Sequence, residues 1–185
     1  MNNVEIIDDF LPEDIHKNIY DAVFEGEIPV FYKFNTIPYE YGKENDLEEV
    51  SKELDKKLGI TDIGHPFFTH MFFFDYKTSS DWDSVYGPIL DKLDPLSIIR
   101  AKLNMNVPTK TEKSSGWHYD IDTKKEYRIM IYHINSNNGY TLFEDGTKIE
   151  SVANRAITFP GKYIHTGISN TDGLLRSFMN FNYVE

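Results

Sequence analysis

No cysteine occurs in the sequence, which removes disulfides, thiolate nucleophiles and sulfur-ligated metal centres together. A metal held by this chain must take imidazole, carboxylate or other oxygen donors. Basic residues are scarce: 19 Lys and Arg stand against 30 Asp and Glu, a formal net charge of −11. A general nucleic-acid surface needs the opposite balance, because surplus cations make the phosphate contacts. Long apolar runs are missing as well, and none approaches the roughly 18 residues of a membrane-crossing helix. The N-terminus carries Glu5, Asp8 and Asp9 where a secretory leader would be basic. These absences lead us to expect a soluble cytoplasmic protein without nucleic-acid or membrane partners.

What the chain has in quantity is aromatic surface, with 13 Phe and 12 Tyr among 185 residues. That length suits one domain with a substantial, β-rich core. Residues 3–10 look like a short strand, followed by Pro12 at a position that a first helical turn tolerates. Ile15, Ile19, Ala22 and Val23 then form one helical stripe, which Gly26 is expected to end. Leu47, Val50, Leu54 and Leu58 predict a second helix stopped by Gly59, and a third is expected over about 81–93, interrupted at Gly87-Pro88. Phe67 to Tyr76 is strand-like. From Ser97 onward, short strands alternate with turn residues, at 97–107, 117–121, 127–135, 139–144, 147–152, 155–159, 162–167 and 173–183. Many short strands at regular spacing predict a sandwich or barrel. One domain over 1–185 is expected, with 1–96 as a helical and mixed support and 97–185 as the core.

His118 and Asp120 stand two residues apart, so on a strand both side chains leave from one face. With the distant His165 they make two imidazoles and one carboxylate, a set that leaves half of an octahedral sphere open, as in non-haem Fe(II) oxygenases. Each residue also has a plainer reading: His118 and Asp120 as a surface pair, His165 as a core histidine. Arg176 lies on the last strand, sharing a face with Phe178 and Asn180, while Leu175, Ser177, Met179 and Phe181 share the other. Turned inward, its planar fork needs an anion and matches a carboxylate. Turned outward, it makes an exposed ion pair of little consequence.

These residues sit within stretches that resemble the 2-oxoglutarate- and Fe(II)-dependent oxygenases, in their prolyl 4-hydroxylase-like branch. The matching stretches are Gly116-Trp117-His118-Tyr119-Asp120, Ile131-Tyr132-His133-Ile134-Asn135, Asn138-Gly139-Tyr140-Thr141-Leu142-Phe143, Asn154-Arg155-Ala156-Ile157-Thr158-Phe159-Pro160-Gly161, His165 and Arg176, with Asp8-Asp9-Phe10-Leu11-Pro12 near the start. The compact bacterial and phage versions are the nearest in form. The resemblance implies a mostly β fold with N-terminal helices, a double-stranded β-helix (a jelly-roll, cupin-like barrel). It implies Fe(II) on His118, Asp120 and His165, and 2-oxoglutarate held at its distal carboxylate by Arg176, with ascorbate as an optional auxiliary reductant. The implied activity is dioxygen-dependent hydroxylation of a C–H bond, in a peptidyl proline first and in a small molecule or free amino acid second. A non-catalytic jelly-roll binding module is the alternative from another class.

Two positions depart from that branch. A tyrosine that often touches the distal carboxylate is replaced by His133, with Tyr132 as the contact if the register is shifted by one. Phe178 stands where the branch has a serine. Asn104 and Asn106 on the first core strand read either as amides reaching co-substrate or substrate or as surface and turn-edge polarity; Thr141 and Phe143 read as lining the barrel, with ordinary packing the plainer reading for Phe143. His65 and His70 read as structural and His16 as exposed. The polar tract 108–116 reads either as a lid or as a long connection, and the aromatics of 31–41 either as a substrate rim or as core.

Overall fold

The computed structural model describes residues 3–26, 28–33, 47–74, 77–78, 81–121, 123 and 125–185. Helices form where apolar spacing and stop signals coincide. Helix α1 (Glu13–Phe24) buries Ile19 and Val23 and places Glu13 and Asp14 in its first turn, where carboxylates complement the helix dipole. It ends just before Gly26, where a β-carbon would lie 2.1 Å from the Ala22 carbonyl oxygen. Helix α2 (Leu47–Leu58) stops at Gly59, whose φ of +71° lets the Ile60 amide return to the Asp55 carbonyl at 2.9 Å. Helix α3 (Asp83–Leu93) runs unbroken through Gly87-Pro88, against the expected interruption. Gly87 has no β-carbon for the proline ring to strike, and buried Val85, Tyr86 and Ile89 anchor the turns on either side.

Strands β1 (Glu5–Ile7), β2 (Phe31–Lys33), β3 (Phe67–Phe74) and β4 (Lys77–Thr78) come from the N-terminal half. Strands β5 (Ser97–Asn106), β6 (Arg128–His133), β7 (Tyr140–Phe143), β8 (Lys148–Glu150), β9 (Ala156–Pro160), β10 (His165–Ile168) and β11 (Arg176–Val184) follow. The larger sheet has the order β1-β9-β6-β11-β5-β3-β2, with β4 beside β3, and the smaller has the order β10-β7-β8. All pairings between these strands are antiparallel. After β6 the chain passes repeatedly between the two sheets, which is the jelly-roll course. The strand expected over 117–121 contracts to a single bridging pair, His118 with His165.

The middle of the larger sheet is buried on both faces, so β6 reads as nearly continuous hydrophobic sequence. Met130, Tyr132 and Ile134 join Leu103, Met179 and Phe181 beneath α1 and α3. Ile129 and Ile131 point the other way, into the barrel, against Phe143, Phe159 and Ile149. Of the aromatic segment 31–41, Phe31 and Tyr32 are exposed on β2; residues 34–41 lie outside the described residues, as do Tyr76, Asp122 and Lys124. His16, expected to be exposed, is half-buried and meets the Tyr132 hydroxyl at 2.6 Å, because helix α1 lies flat on the sheet.

Beyond the pairing of β1 with β9, Asn154 clamps the N-terminal segment to the barrel. Asn154 adopts a left-handed φ of +61°, accepts the Leu11 amide at 2.9 Å and donates to the Leu11 carbonyl at 2.8 Å. Its side-chain oxygen also accepts the Tyr132 hydroxyl at 3.1 Å. We expect Asn154→Ala to lose about 2–4 kcal/mol of stability, from buried groups left unpaired and a strained backbone. Urea unfolding measures this, and a change within about 0.5 kcal/mol, the range of ordinary surface substitutions, would show that the clamp is dispensable.

Candidate metal centre

The tract 108–116 leads into the site and is tied down along its length. Ser114 donates its amide to the Asp62 carbonyl at 2.9 Å, Ser115 to Gly167 at 2.8 Å, and Lys113 lies 3.0 Å from the Asp62 carboxylate. His118 and His165 then exchange backbone hydrogen bonds of 3.0 Å in each direction, and their ring centroids stand 4.6 Å apart. Each imidazole is oriented by its own chain two residues back. The His118 Nδ1 lies 2.8 Å from the Gly116 carbonyl and the His165 Nδ1 lies 2.9 Å from that of Tyr163. A carbonyl only accepts, so Nδ1 carries the proton in both rings and each Nε2 keeps a free lone pair.

Asp120 is held from the opposite side. Its Oδ2 accepts the side-chain amides of Asn180 and Asn182, each at 2.8 Å, and lies 3.2 Å from the Arg100 guanidinium. Its Oδ1 faces the His118 Nε2 at 3.6 Å. The ligand atoms of His118, Asp120 and His165 all lie within 4.8 Å of one another, so one ion can reach all three. Burial pulls the His118 imidazole down to about 4, with His165 adding to the effect, and burial lowers His165 too. Burial alone would raise the Asp120 carboxyl, but Arg100, His165 and Lys102 together hold it far below the usual range. At neutral pH the group is two neutral imidazoles and one carboxylate, the protonation state that metal binding requires. His118 keeps 27% of its side chain accessible, on the open side of the site.

Arg176 belongs to the same pocket, which His118, Asp120, His165, Asn104 and Thr141 also line. It is 1% exposed. Its Nε donates to the Ser151 hydroxyl at 2.8 Å, its Nη2 to Thr141 at 3.4 Å, and its Cζ lies 4.6 Å from the Phe178 ring centroid. Nη1 has no partner, and no carboxylate pairs with the guanidinium among the described residues. Burial pulls its pKa down to about 10. Glycines make the cradle around it. A β-carbon at Gly139 would come within 2.7 Å of Cδ, and one at Gly167 within 3.3 Å of Nη1. A buried cation with an unsatisfied edge beside a three-donor cluster has the chemistry to take an anion.

The remaining expected residues divide by face. Asn104 and Asn106 line the pocket, and the Thr69 hydroxyl meets the Asn104 amide oxygen at 3.4 Å. His133 is fully buried on the barrel face of β6, with neither ring nitrogen hydrogen-bonded; burial, then the Arg176 charge, keeps it neutral. Tyr132 is corrected: it lies on the opposite face, its hydroxyl bound to Asn154 and His16, because consecutive strand residues point apart. It cannot reach an anion at Arg176. Phe143 packs edge-on against Phe159 inside the barrel, as expected. His70 is held by the Pro29 carbonyl at 2.6 Å, and His65 is buried beside Pro66; neither lines the pocket.

Sequence reasoning passed over Lys102, Arg100 and Asn182. The signal was the alternation Arg100, Lys102, Asn104, Asn106 on β5, interleaved with Ala101, Leu103 and Met105, which pack beneath the helices. Lys102 lines the pocket next to Asp120, and burial, with Arg100 adding to it, pulls its ammonium down to about 8.

No family model matches the chain, and no curated protein matches it by sequence. Similarity appears in solved structures. One is the prolyl hydroxylase of Trichoplax adhaerens in complex with a hypoxia inducible factor peptide, with a TM-score of 0.59 and 7% identity over 99% of this chain and 84% of that one. A second is AviO1 from Streptomyces viridochromogenes, at 0.56 and 11% over 99% and 90%. A third is the viral collagen prolyl hydroxylase of Paramecium Bursaria Chlorella virus-1 in its 2OG complex, at 0.51 and 13% over 99% and 97%. At these identities the likeness is one of fold, and the jelly-roll barrel expected from the sequence is the one these proteins share.

We expect the wild-type protein to bind one equivalent of Mn(II) by isothermal titration calorimetry, and His165→Ala to abolish the binding. Asn182→Ala keeps all three donors and should weaken the affinity by about 10–100-fold, the usual effect of removing a group that orients a ligand. Undiminished binding in His165→Ala would place the ion elsewhere.

Proposed function

We propose that the chain is a 2-oxoglutarate- and Fe(II)-dependent dioxygenase that hydroxylates a C–H bond. The observation that carries this reading is the buried Arg176, whose Nη1 has no protein partner among the described residues and which shares one pocket with His118, Asp120 and His165. His118, Asp120 and His165 would hold Fe(II) through two Nε2 atoms and Oδ1, leaving coordination positions for co-substrate and dioxygen. Arg176 would take the distal carboxylate of 2-oxoglutarate on the edge that carries Nη1, with Ser151 and Thr141 fixing the guanidinium plane. His133, a neutral buried ring whose centroid lies 6.3 Å from that of Phe178, would back that end of the pocket from behind. When bound, the iron and 2-oxoglutarate supply oxidative decarboxylation to succinate and carbon dioxide, coupled to oxygen insertion into the substrate C–H bond.

The protein's own part is positional. Asn180, Asn182 and Arg100 keep Asp120 ionised and aimed; the Gly116 and Tyr163 carbonyls keep both imidazoles neutral and aimed. These bonds aim the three donors before an ion arrives. Two of the three fold neighbours are named prolyl hydroxylases, which puts a prolyl C–H bond first among substrates. Whether that group lies within a peptide or carries a free carboxylate turns on the charge of the pocket wall. No helix among the described residues is long and apolar enough to cross a membrane.

Anaerobic protein loaded with Fe(II) should show a weak visible charge-transfer band on adding 2-oxoglutarate, and succinate should form when oxygen is admitted. Absence of both would favour a non-catalytic jelly-roll binding module. Arg176→Ala should weaken 2-oxoglutarate binding by about 1.5–3 kcal/mol, the range for a hydrogen bond to a charged group. An unchanged affinity in that titration would assign the dianion to other residues.

A further inference from the structure

We propose that Lys102 is a substrate-binding residue and that the molecule oxidised is a small acid with a free carboxylate, such as a free amino acid, in preference to an internal residue of a peptide. The inference rests on the dioxygenase reading above and adds the substrate class.

Lys102 and Arg176 face the same pocket from different places. On the paired strands β5 and β11, Lys102 lies opposite Asn180 and Asn106 lies opposite Arg176. Four residues of strand separate these pairs, roughly 13 Å. Asn180 holds Asp120, so Lys102 stands at the ligand end of the pocket and Arg176 at the far end. A dicarboxylate anchored at Arg176 and chelating the ion leaves Lys102 to another group.

Among the described residues Asp120 attracts the Lys102 charge without pairing with it, and that carboxylate is already shared by Arg100, Asn180 and Asn182. Arg100, two residues earlier on the same face, is already engaged with Asp120 at 3.2 Å. The Lys102 ammonium makes no hydrogen bond or ion pair with any described residue, and Asp120 is the one carboxylate among the residues that line the pocket. Charge counting gives the same result. A divalent ion, the Asp120 carboxylate and a 2-oxoglutarate dianion sum to one negative charge, which Arg176 cancels; Arg100 and Lys102 remain in excess. That excess sits in a protein whose formal net charge is −11, so it is a property of the pocket and not of the surface at large. The wall beside it is polar in the same sense: Asn104 and Asn106 line it, and the buried Asn180 Oδ1 has no partner, an acceptor able to take an amine or ammonium N–H.

An internal peptide residue presents neutral amides on both sides. Seating one here would shield Lys102 from water without giving it an anion, which is unfavourable. A free carboxylate supplies the missing partner, and its amine has the Asn180 oxygen to meet.

The test uses the full chain loaded with Mn(II) and 2-oxoglutarate, which binds without turnover. Each free L-amino acid is titrated alongside its carboxamide and an N-acetylated, amidated form that mimics an internal residue. Binding is read by calorimetry and by paramagnetic broadening of the ligand's protons near Mn(II). At least one free acid should bind about tenfold or more tightly than its carboxamide, in line with one charged hydrogen bond. Lys102→Met should erase that preference, Lys102→Arg should keep it, and both variants should retain Mn(II) and 2-oxoglutarate affinity. Equal binding of acids and carboxamides, or no carboxylate-dependent binding across the set, overturns the proposal. Loss of 2-oxoglutarate affinity in Lys102→Met also overturns it, by assigning the lysine to the co-substrate. Failure of the wild type to take up Mn(II) or 2-oxoglutarate would sink the dioxygenase reading instead, and is seen before any amino acid is added.

Discussion

Successive residues of β11 serve two opposed environments, and the whole arrangement follows from keeping them apart. Met179, Phe181 and Tyr183 point beneath the helices, while Arg176, Phe178, Asn180 and Asn182 point into the barrel. The side-chain period of a strand is two, so a slip of one residue would push a guanidinium and two amides into the apolar layer and turn its aromatics into the pocket. Pairing with β5 on one side and β6 on the other fixes that register over most of the strand. Both neighbours obey the same division. Leu103 and Met130 face the helices; Lys102 and Ile131 face inward.

Covering the outer face with α1 and α3 is what frees the inner face to be polar. The apolar area buried beneath the helices, from Ile19 and Val23 through Phe72 and Ile89 to Phe181, gives the sheet a complete hydrophobic layer without drawing on the barrel interior. The interior can then hold groups that contribute little to stability. Asp120 is nearly fully satisfied, with two amides and a guanidinium on one oxygen. Arg176 is not, and a buried donor without a partner costs on the order of 1–3 kcal/mol. Gly167 keeps the space next to Nη1 open and Gly139 leaves room for Cδ, so the unsatisfied edge is preserved by the shape of the backbone.

Much of this was readable beforehand because it depends on local rules. The strands from Ser97 to Val184 fell within a few residues of their expected spans, since apolar alternation and turn residues fix them without reference to partners. The grouping of Arg176 with Phe178 and Asn180 followed from the same period. What escaped depended on neighbours. The helix through Pro88 persists because of residues packed against it, and His16 is half-buried because of where Tyr132 lies. Tyr132 could be exchanged with His133 on paper until the sheet decided which face was inside. Lys102 was passed over because a lone lysine on a strand usually marks a solvated face; only the closing of the barrel turns that face inward.

The low identity to proteins of the same fold has a physical reading in the way the histidines are aimed. Each takes its orientation from a backbone carbonyl two residues earlier in its own segment, at Gly116 and Tyr163. A carbonyl is present whatever the side chain, so this device survives substitution of almost everything nearby. The apolar layer is similarly tolerant, asking for volume and hydrophobicity more than identity. Asp120 is different, because it draws on the particular side chains Asn180, Asn182 and Arg100. Those positions, with Lys102 on the neighbouring strand, are where a chain of this fold can change what its pocket accepts while leaving the three candidate ligands and the barrel in place.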